Sequence, residues 1–121
     1  NNLGLVLAFR GALAEADSIY RASLAIKLRR LGPEHPSTAV TVNNLAQVRH
    51  EQGSFAAAES LYRRALATKR RALGDLHPSV TVNMNSLATL LAEDLGRVDE
   101  AEALVREALA LDRRIFGDRH E

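Results

Sequence analysis

The stretch LGPEHPSTAVTVNNLA, Leu31 to Ala46, returns 42 residues later as LGDLHPSVTVNMNSLA, Leu73 to Ala88. Each copy sets a Gly, an acid and a His-Pro pair ahead of a Thr/Val run that closes on asparagine. The likeness continues outward. Gly53-Ser54-Phe55-Ala56-Ala57-Ala58-Glu59 matches Gly11-Ala12-Leu13-Ala14-Glu15-Ala16-Asp17 and Gly96-Arg97-Val98-Asp99-Glu100-Ala101-Glu102, and each block leads into a second one: IYRASLAIKLRRLG, LYRRALATKRRALG and LVREALALDRRIFG. The spacing is 42 residues and then 43, with one residue inserted in the third copy between Leu87 and Gly96. A fixed period of this length is the signature of a repeat architecture in which neighbouring units complete each other's core.

Within a copy the apolar spacing is helical. Phe55, Ala58, Leu61, Tyr62, Ala65, Leu66 and Leu73 recur at steps of three and four, which predicts a helix over 55–73. Before it, Pro36 suits a first helical turn and Gly53 supplies a stop, so 37–52 is predicted to be helical as well. The β-branched run Thr38 to Val42 is a weak strand signal, but two such strands among helices would lack partners. Helices are therefore expected near 1–10, 13–31, 37–52, 55–73, 79–94 and 98–116. They form a single all-α domain over 1–121 of about three helix-turn-helix repeats, 1–36, 37–78 and 79–121. Gly32 and Gly74 end one helix, Pro36 and Pro78 begin the next, and His35 and His77 fall beside the N-cap. The inserted residue should lodge near the end of the third copy's first helix, as a π-type bulge or a longer turn that re-aims Glu93 or Asp94.

Composition agrees with this architecture. The 121 residues are 46% hydrophobic but only 4% aromatic, with no Trp, so the core must come from Leu, Ala and Val, a palette suited to closely packed helices. The absence of Cys excludes disulfides, thiolate ligands and a Cys nucleophile, and fits a reducing compartment; a cytoplasmic location is the expectation. No apolar run approaches the roughly 18 to 20 residues of a membrane span. The opening NNLGLVLAFRGALAEAD lacks a leader pattern and starts in mid-repeat, which suggests a piece of a longer array. The formal charge of +1 hides an asymmetry: residues 1–84 carry 11 Lys+Arg against 6 Asp+Glu, and residues 85–121 carry 5 against 9.

Catalytic and metal chemistry find no convergent set of groups. His35 and His77 are equivalent positions on stacked repeats, at least roughly 8 to 10 Å apart, too far to share a metal at about 2 Å. His50 and Glu51 are helix neighbours that point about 100° apart. Glu100 with Glu102, or Asp99 with Glu102, resembles a carboxylate pair. Asp17, Glu59 and Glu102, however, share one repeat position, and each has an Arg four residues on, at Arg21, Arg63 and Arg106. These are acid-before-base pairs worth about 0.2–0.5 kcal/mol each to a helix. The run Lys69-Arg70-Arg71, with Arg63 and Arg64, has no interleaved aromatics for base stacking and reads as a solvated face. The sequence therefore points to no enzyme, no metal, no cofactor, no nucleic acid and no membrane partner.

Helix-turn-helix units built on Leu45-Ala46, Gly53, Ala58, Tyr62 and Ala65 resemble the tetratricopeptide family. The same skeleton is Leu3-Gly4, Gly11, Ala16, Tyr20 and Ser23 in the first copy, and Leu87-Ala88, Gly96, Ala101, Val105 and Ala108 in the third. The 42-residue period, with G-[PD]-x-H-P before a helix and N-N-L-A within it, is similar to the kinesin light chain type of these repeats. That subtype is widespread in bacterial proteins and in arrays attached to signalling NTPases. Departures are Val42 and Met84 where the family has a larger residue and Arg49 in place of its Tyr; the Lys-rich carboxylate clamp of chaperone adaptors is absent. The resemblance implies a right-handed superhelical solenoid that acts as a non-catalytic protein- or peptide-binding scaffold.

It also implies that the first helix of each repeat lines the concave side. The face away from Leu45 carries Val40, Asn43, Gln47 and His50, continued by Val82, Asn85 and Thr89 and bordered by Asn1, Asn2, Asn44 and Ser86. Side-chain amides both donate and accept, so this ladder could bond the backbone of an extended peptide. A binding groove is therefore expected at Asn1, Asn43, Asn44, Gln47, His50, Asn85, Ser86 and Thr89, with bonding between adjacent repeats as the competing role for some of the amides, Asn44 above all. A structural alternative is head-to-tail stacking of copies, since neither end reads as a polar capping helix and the two ends differ in charge sign.

Overall fold

The computed structural model describes residues 2–117, with side chains from Arg10 onward. Five helices follow one another: α1 (Asn2–Arg30), α2 (Pro36–Glu51), α3 (Phe55–Leu73), α4 (Pro78–Glu93) and α5 (Val98–Phe116). The described residues contain no strand. Tertiary contacts run between consecutive helices, α1 to α2, α2 to α3, and so on, which is the packing of a helical solenoid.

The His-Pro seam works as a helix start. His35 Nδ1 accepts the Ser37 N–H at 3.0 Å and His77 Nδ1 accepts the Ser79 N–H at 3.1 Å, with Pro36 and Pro78 in the first turn. An unprotonated imidazole nitrogen thus caps the helix as a Ser or Asp oxygen commonly does. The preceding stop is a glycine in the left-handed region, φ +86 at Gly32 and +82 at Gly74. The β-branched run is helical: Thr38 is buried in α2 and its hydroxyl donates to the Gly32 carbonyl at 2.9 Å.

The first helix differs from the expectation. Instead of two helices, 1–10 and 13–31, the chain forms one helix of 29 residues through Gly11. Glycine costs about 1 kcal/mol in a helix interior relative to Ala, a bias that good helix formers on either side offset. Arg10 precedes Gly11, and Ala12, Leu13 and Ala14 follow it; Ala12 stands where the second copy has Ser54.

The inserted residue falls outside the helix. α2 and α4 are both 16 residues long, and the surplus lengthens the turn that follows α4. In the shorter turn Ser54 N–H donates to Arg49 O at 2.9 Å, whereas in the longer one Arg97 N–H reaches back to Leu91 O at 2.8 Å. Asp94 is re-aimed as a result, and its Oδ2 meets His50 Nε2 at 2.5 Å.

The core lies where α4 passes over the α2–α3 hairpin. Val80, Met84, Leu87, Leu90 and Leu91 pack with Ala46, Ala58 and Tyr62. The alanines let the helix axes approach closely, and each fully buried Leu contributes about 1.5–3 kcal/mol. Burial, reinforced by the Glu51 charge, pushes the Tyr62 phenol up to about 12, so it stays protonated at any ordinary pH.

Candidate functional site

Packing on both sides leaves α2 and α4 a narrow strip of solvent exposure. On α2 the exposed residues are Val40, Gln47 and Glu51; on α4, beyond Pro78, they are Val82, Asn85, Thr89 and Glu93. The two sets align at the repeat spacing, because Val40, Gln47 and Glu51 correspond to Val82, Thr89 and Glu93. Asn44 and Ser86 are half-buried along its edge.

The asparagines separate at this point. Asn43 and Asn85 are sequence equivalents, yet Asn85 is exposed and Asn43 is only 9% exposed. The buried Oδ1 of Asn43 carries no hydrogen bond. His50 is half-buried, edge-on to Phe55 and Tyr62 with ring centroids at 5.9 and 6.3 Å, and its Nε2 is joined to Asp94. Thr89 uses its hydroxyl on the Asn85 carbonyl at 3.0 Å. Asn1 lies outside the described residues.

Two grooves divide the remaining positions. One, of about 320 Å³, lies between α1 and α2 and takes in Asn44 and Gln47 beside Leu13, Ala16, Tyr20 and Glu51. The other, of about 550 Å³, lies between α4 and α5 and takes in Asn85 and Thr89 beside Ala88, Ala101, Glu102 and Val105. Both grooves set apolar side chains against amide and carboxylate groups, Asn44, Gln47 and Glu51 in one and Asn85, Glu93 and Glu102 in the other.

Sequence reasoning missed the amide that bonds across repeats. Asn83 is fully buried; its Oδ1 accepts from Lys69 Nζ at 3.0 Å and its Nδ2 donates to the Tyr62 carbonyl at 3.3 Å. One repeat earlier, Lys27 Nζ donates to Thr41 Oγ1 at 2.8 Å and to Ser37 O at 3.2 Å. Burial holds the Lys69 ammonium below its ordinary pKa. The signal was present in the recurrence of Lys27 and Lys69 at the repeat spacing on otherwise apolar helix faces.

The carboxylates are held by guanidinium groups. Arg21 pairs with Asp17 at 3.2 Å, Arg63 with Glu59 at 2.8 Å, and Arg106 with Glu102, as their spacing predicted. Bridges also cross between repeats: Arg97 to Glu59 at 2.9 Å, Arg63 to Glu100, Arg70 to Glu107 at 2.8 Å and Arg71 to Glu34 at 2.5 Å. Hydrogen bonds from Arg63 and Arg97 hold the Glu100 carboxyl below the usual carboxylate range, and Arg70 does the same to Asp75. Glu100 and Glu107 thus join α5 to Arg63 and Arg70 of α3, while Asp75 pairs locally with Arg70. No helix among the described residues is long and apolar enough to cross a membrane.

Models of the tetratricopeptide repeat match residues 1–71 and residues 84–121. Among solved structures, BtubC (BKLC) from P. vanneervenii superimposes with a TM-score of 0.76 at 27% identity, covering 86% of this chain and 41% of the BtubC chain. This chain thus spans less than half the length of that kinesin light chain-like relative. A comparison with curated proteins finds no match.

Proposed function

Because the chain belongs to the tetratricopeptide repeat family, whose repeats are protein-interaction scaffolds, we propose that it is a non-catalytic scaffold binding an extended peptide along the concave strip of α2 and α4. The observation that supports this reading is the strip itself. On two helices otherwise sunk into the core, a β-branched Val, a hydrogen-bonding side chain and a Glu stay exposed at matching positions, Val40, Gln47 and Glu51 beside Val82, Thr89 and Glu93. Repetition at one repeat's distance suits a ligand whose own backbone repeats. Valines give it apolar footholds, and Gln47, Asn44 and Asn85 offer donors and acceptors to its peptide groups. The two glutamates favour a segment with basic residues. A display selection against the chain should enrich peptides of this kind. Replacing Gln47 and Asn85 together with Ala should then weaken the selected peptide about tenfold or more while helicity and melting hold. Unchanged affinity would remove the strip from the site.

A second reading rests on α5. Val98, Val105 and Leu109 are exposed, the last two at 40% and 50%, whereas their equivalents Tyr62 and Leu66 in the preceding repeat are 2% and 8% exposed beneath α4. This face has the form of a repeat-stacking surface. End-to-end association through it would bring the acidic segment 85–121 against the basic segment 1–84 and would weaken with salt. Light scattering of the chain with Leu109→Glu, on α5 outside the lining of the α4–α5 groove, separates this from peptide binding.

A further inference from the structure

The connections of the fold alternate between two edges. Consecutive helices pack on one another through connections of three to five residues, so they run antiparallel. The seams 31–35 and 74–77 therefore lie at one edge, and the turns 52–54 and 94–97 at the other. Charge divides in the same way. Twelve-residue windows about the two seams, 27–38 and 69–80, hold six Lys+Arg and two Asp+Glu, whereas windows about the two turns, 49–60 and 91–102, hold two and seven.

Helix dipoles account for only part of this polarity. Acids in the first turn of α5 and arginines in the last turns of α1, α3 and α5 suit the dipole. In α2 and α4 the distribution runs the other way. Neither has an acid in its first turn, and each ends on a carboxylate, Glu51 and Glu93, at the negative end of its dipole. The sign of the charge thus follows the edge and not the helix.

Ion pairs within the molecule leave charge over on both edges. The two seam acids are taken, Glu34 by Arg71 and Asp75 by Arg70, while Arg29 and Arg30 stay exposed with no carboxylate partner among the described residues. At the turns Arg97 is held by Glu59 and Glu100, and Arg49 by Asp17. Glu51, Glu93 and Asp99 stay exposed there with no guanidinium partner among the described residues.

We propose that the seam edge of one copy docks on the turn edge of a second, so that the molecules associate side by side. A second copy is the partner because the two complementary surfaces belong to the same chain. Both edges are built on one repeat, so their charges share one spacing, and a match at one repeat is a match at the next. The contact is heterologous: each pair keeps a free seam edge and a free turn edge, and association continues past the dimer. The inference does not rest on peptide binding by the α2–α4 strip, and it uses only seams and turns that have helices on both sides.

The test is sedimentation of the 121-residue chain across a range of concentration and salt. Species larger than a monomer are expected at low salt. Raising salt from about 0.01 M to about 0.15 M, which shortens the Debye length from about 30 Å to about 8 Å, should weaken association about tenfold or more. Arg29→Glu with Arg30→Glu should give a monomer. So should Glu51→Lys with Glu93→Lys, where a cation suits the helix end and the fold is kept. Mixing these two variants should restore association, because the reversed seam of one meets the reversed turn of the other. Arg64→Glu with Arg106→Glu makes the same change in net charge as the seam variant, midway along α3 and α5, and should leave association intact, as should Leu109→Glu. A parent chain that stays monomeric at low salt overturns the proposal. So does a mixture that stays monomeric, association that Leu109→Glu removes, or equal weakening by the Arg64 and Arg106 variant and the seam variant.

Discussion

Replacing Asn83 with Leu is the most informative single perturbation of the fold. Asn83 has no solvent exposure, and its Oδ1 receives the buried ammonium of Lys69 at 3.0 Å. Leu has a similar reach but accepts nothing. The loss of a hydrogen bond to a charged group costs about 1.5–3 kcal/mol, and the 3.3 Å bond from Nδ2 to the Tyr62 carbonyl adds about 0.5 kcal/mol. Apolar burial of the new side chain returns about 1–2 kcal/mol. A net loss of about 1 kcal/mol follows, or a fall in melting temperature of about 4 °C for a chain of this size. Lys69→Met in the same background removes the stranded charge, and an apolar pair in place of a buried polar one is expected to match or exceed the parent. Urea unfolding by circular dichroism, run as a double-mutant cycle, measures the coupling, expected at about 1.5–3 kcal/mol. pH provides a second arm. Because the folded state binds the Lys69 proton more weakly than the unfolded state does, stability should rise with pH between the lowered folded value and 10.5, and Lys69→Met should lack that rise. The reasoning is refuted if Asn83→Leu stays within about 0.5 kcal/mol of the parent, or if the double variant is as weak as the single one.

Other substitutions test local features. His77→Ala should cost about 1 kcal/mol through loss of the Ser79 cap, while His77→Asp, which restores an acceptor, should recover most of it; equal losses in urea melts would rule out capping. Alanine at Gly74, where φ is +82, should destabilise by about 1 kcal/mol or more, whereas alanine at Gly11 should stabilise by up to about 1 kcal/mol, so thermal melts of the two variants should move in opposite directions.

The fold was legible because a repeat states each helix more than once. Pro36 and Pro78, Gly32 and Gly74, and the apolar steps of α3 all read correctly from spacing alone. The straight passage of α1 through Gly11 was not legible, because a glycine at a turn position is compatible with helix as well, and which state forms depends on its neighbours' propensity and on what packs alongside. The candidate site was legible as a set of positions but not as a surface. Asn43 and Asn85 are identical letters at equivalent places, yet one is buried and the other exposed, a difference set by packing and not by the letter. Likewise Asn83 lies two residues from Asn85, about 200° around the helix, so a small error in assigning the inward face exchanges a core amide for a surface one. His50 read as a groove residue because its partner, Asp94, arrives from 44 residues away through a turn lengthened by the insertion.

Contacts that pass from each helix to the next give the molecule the mechanics of a coil spring. Among the described residues no element bridges from one end of the stack to the other, so a pull along its length is borne in series by the interfaces rather than shared among them. The weakest interface sets the yield point, and the chain lengthens one hairpin at a time. Arg97, Arg63, Arg70 and Arg71, with carboxylate partners 37 or 38 residues away, clip neighbouring coils along one side. Those clips are screened by dissolved ions, so the spring should soften as salt rises, yielding on that side before its apolar core gives way.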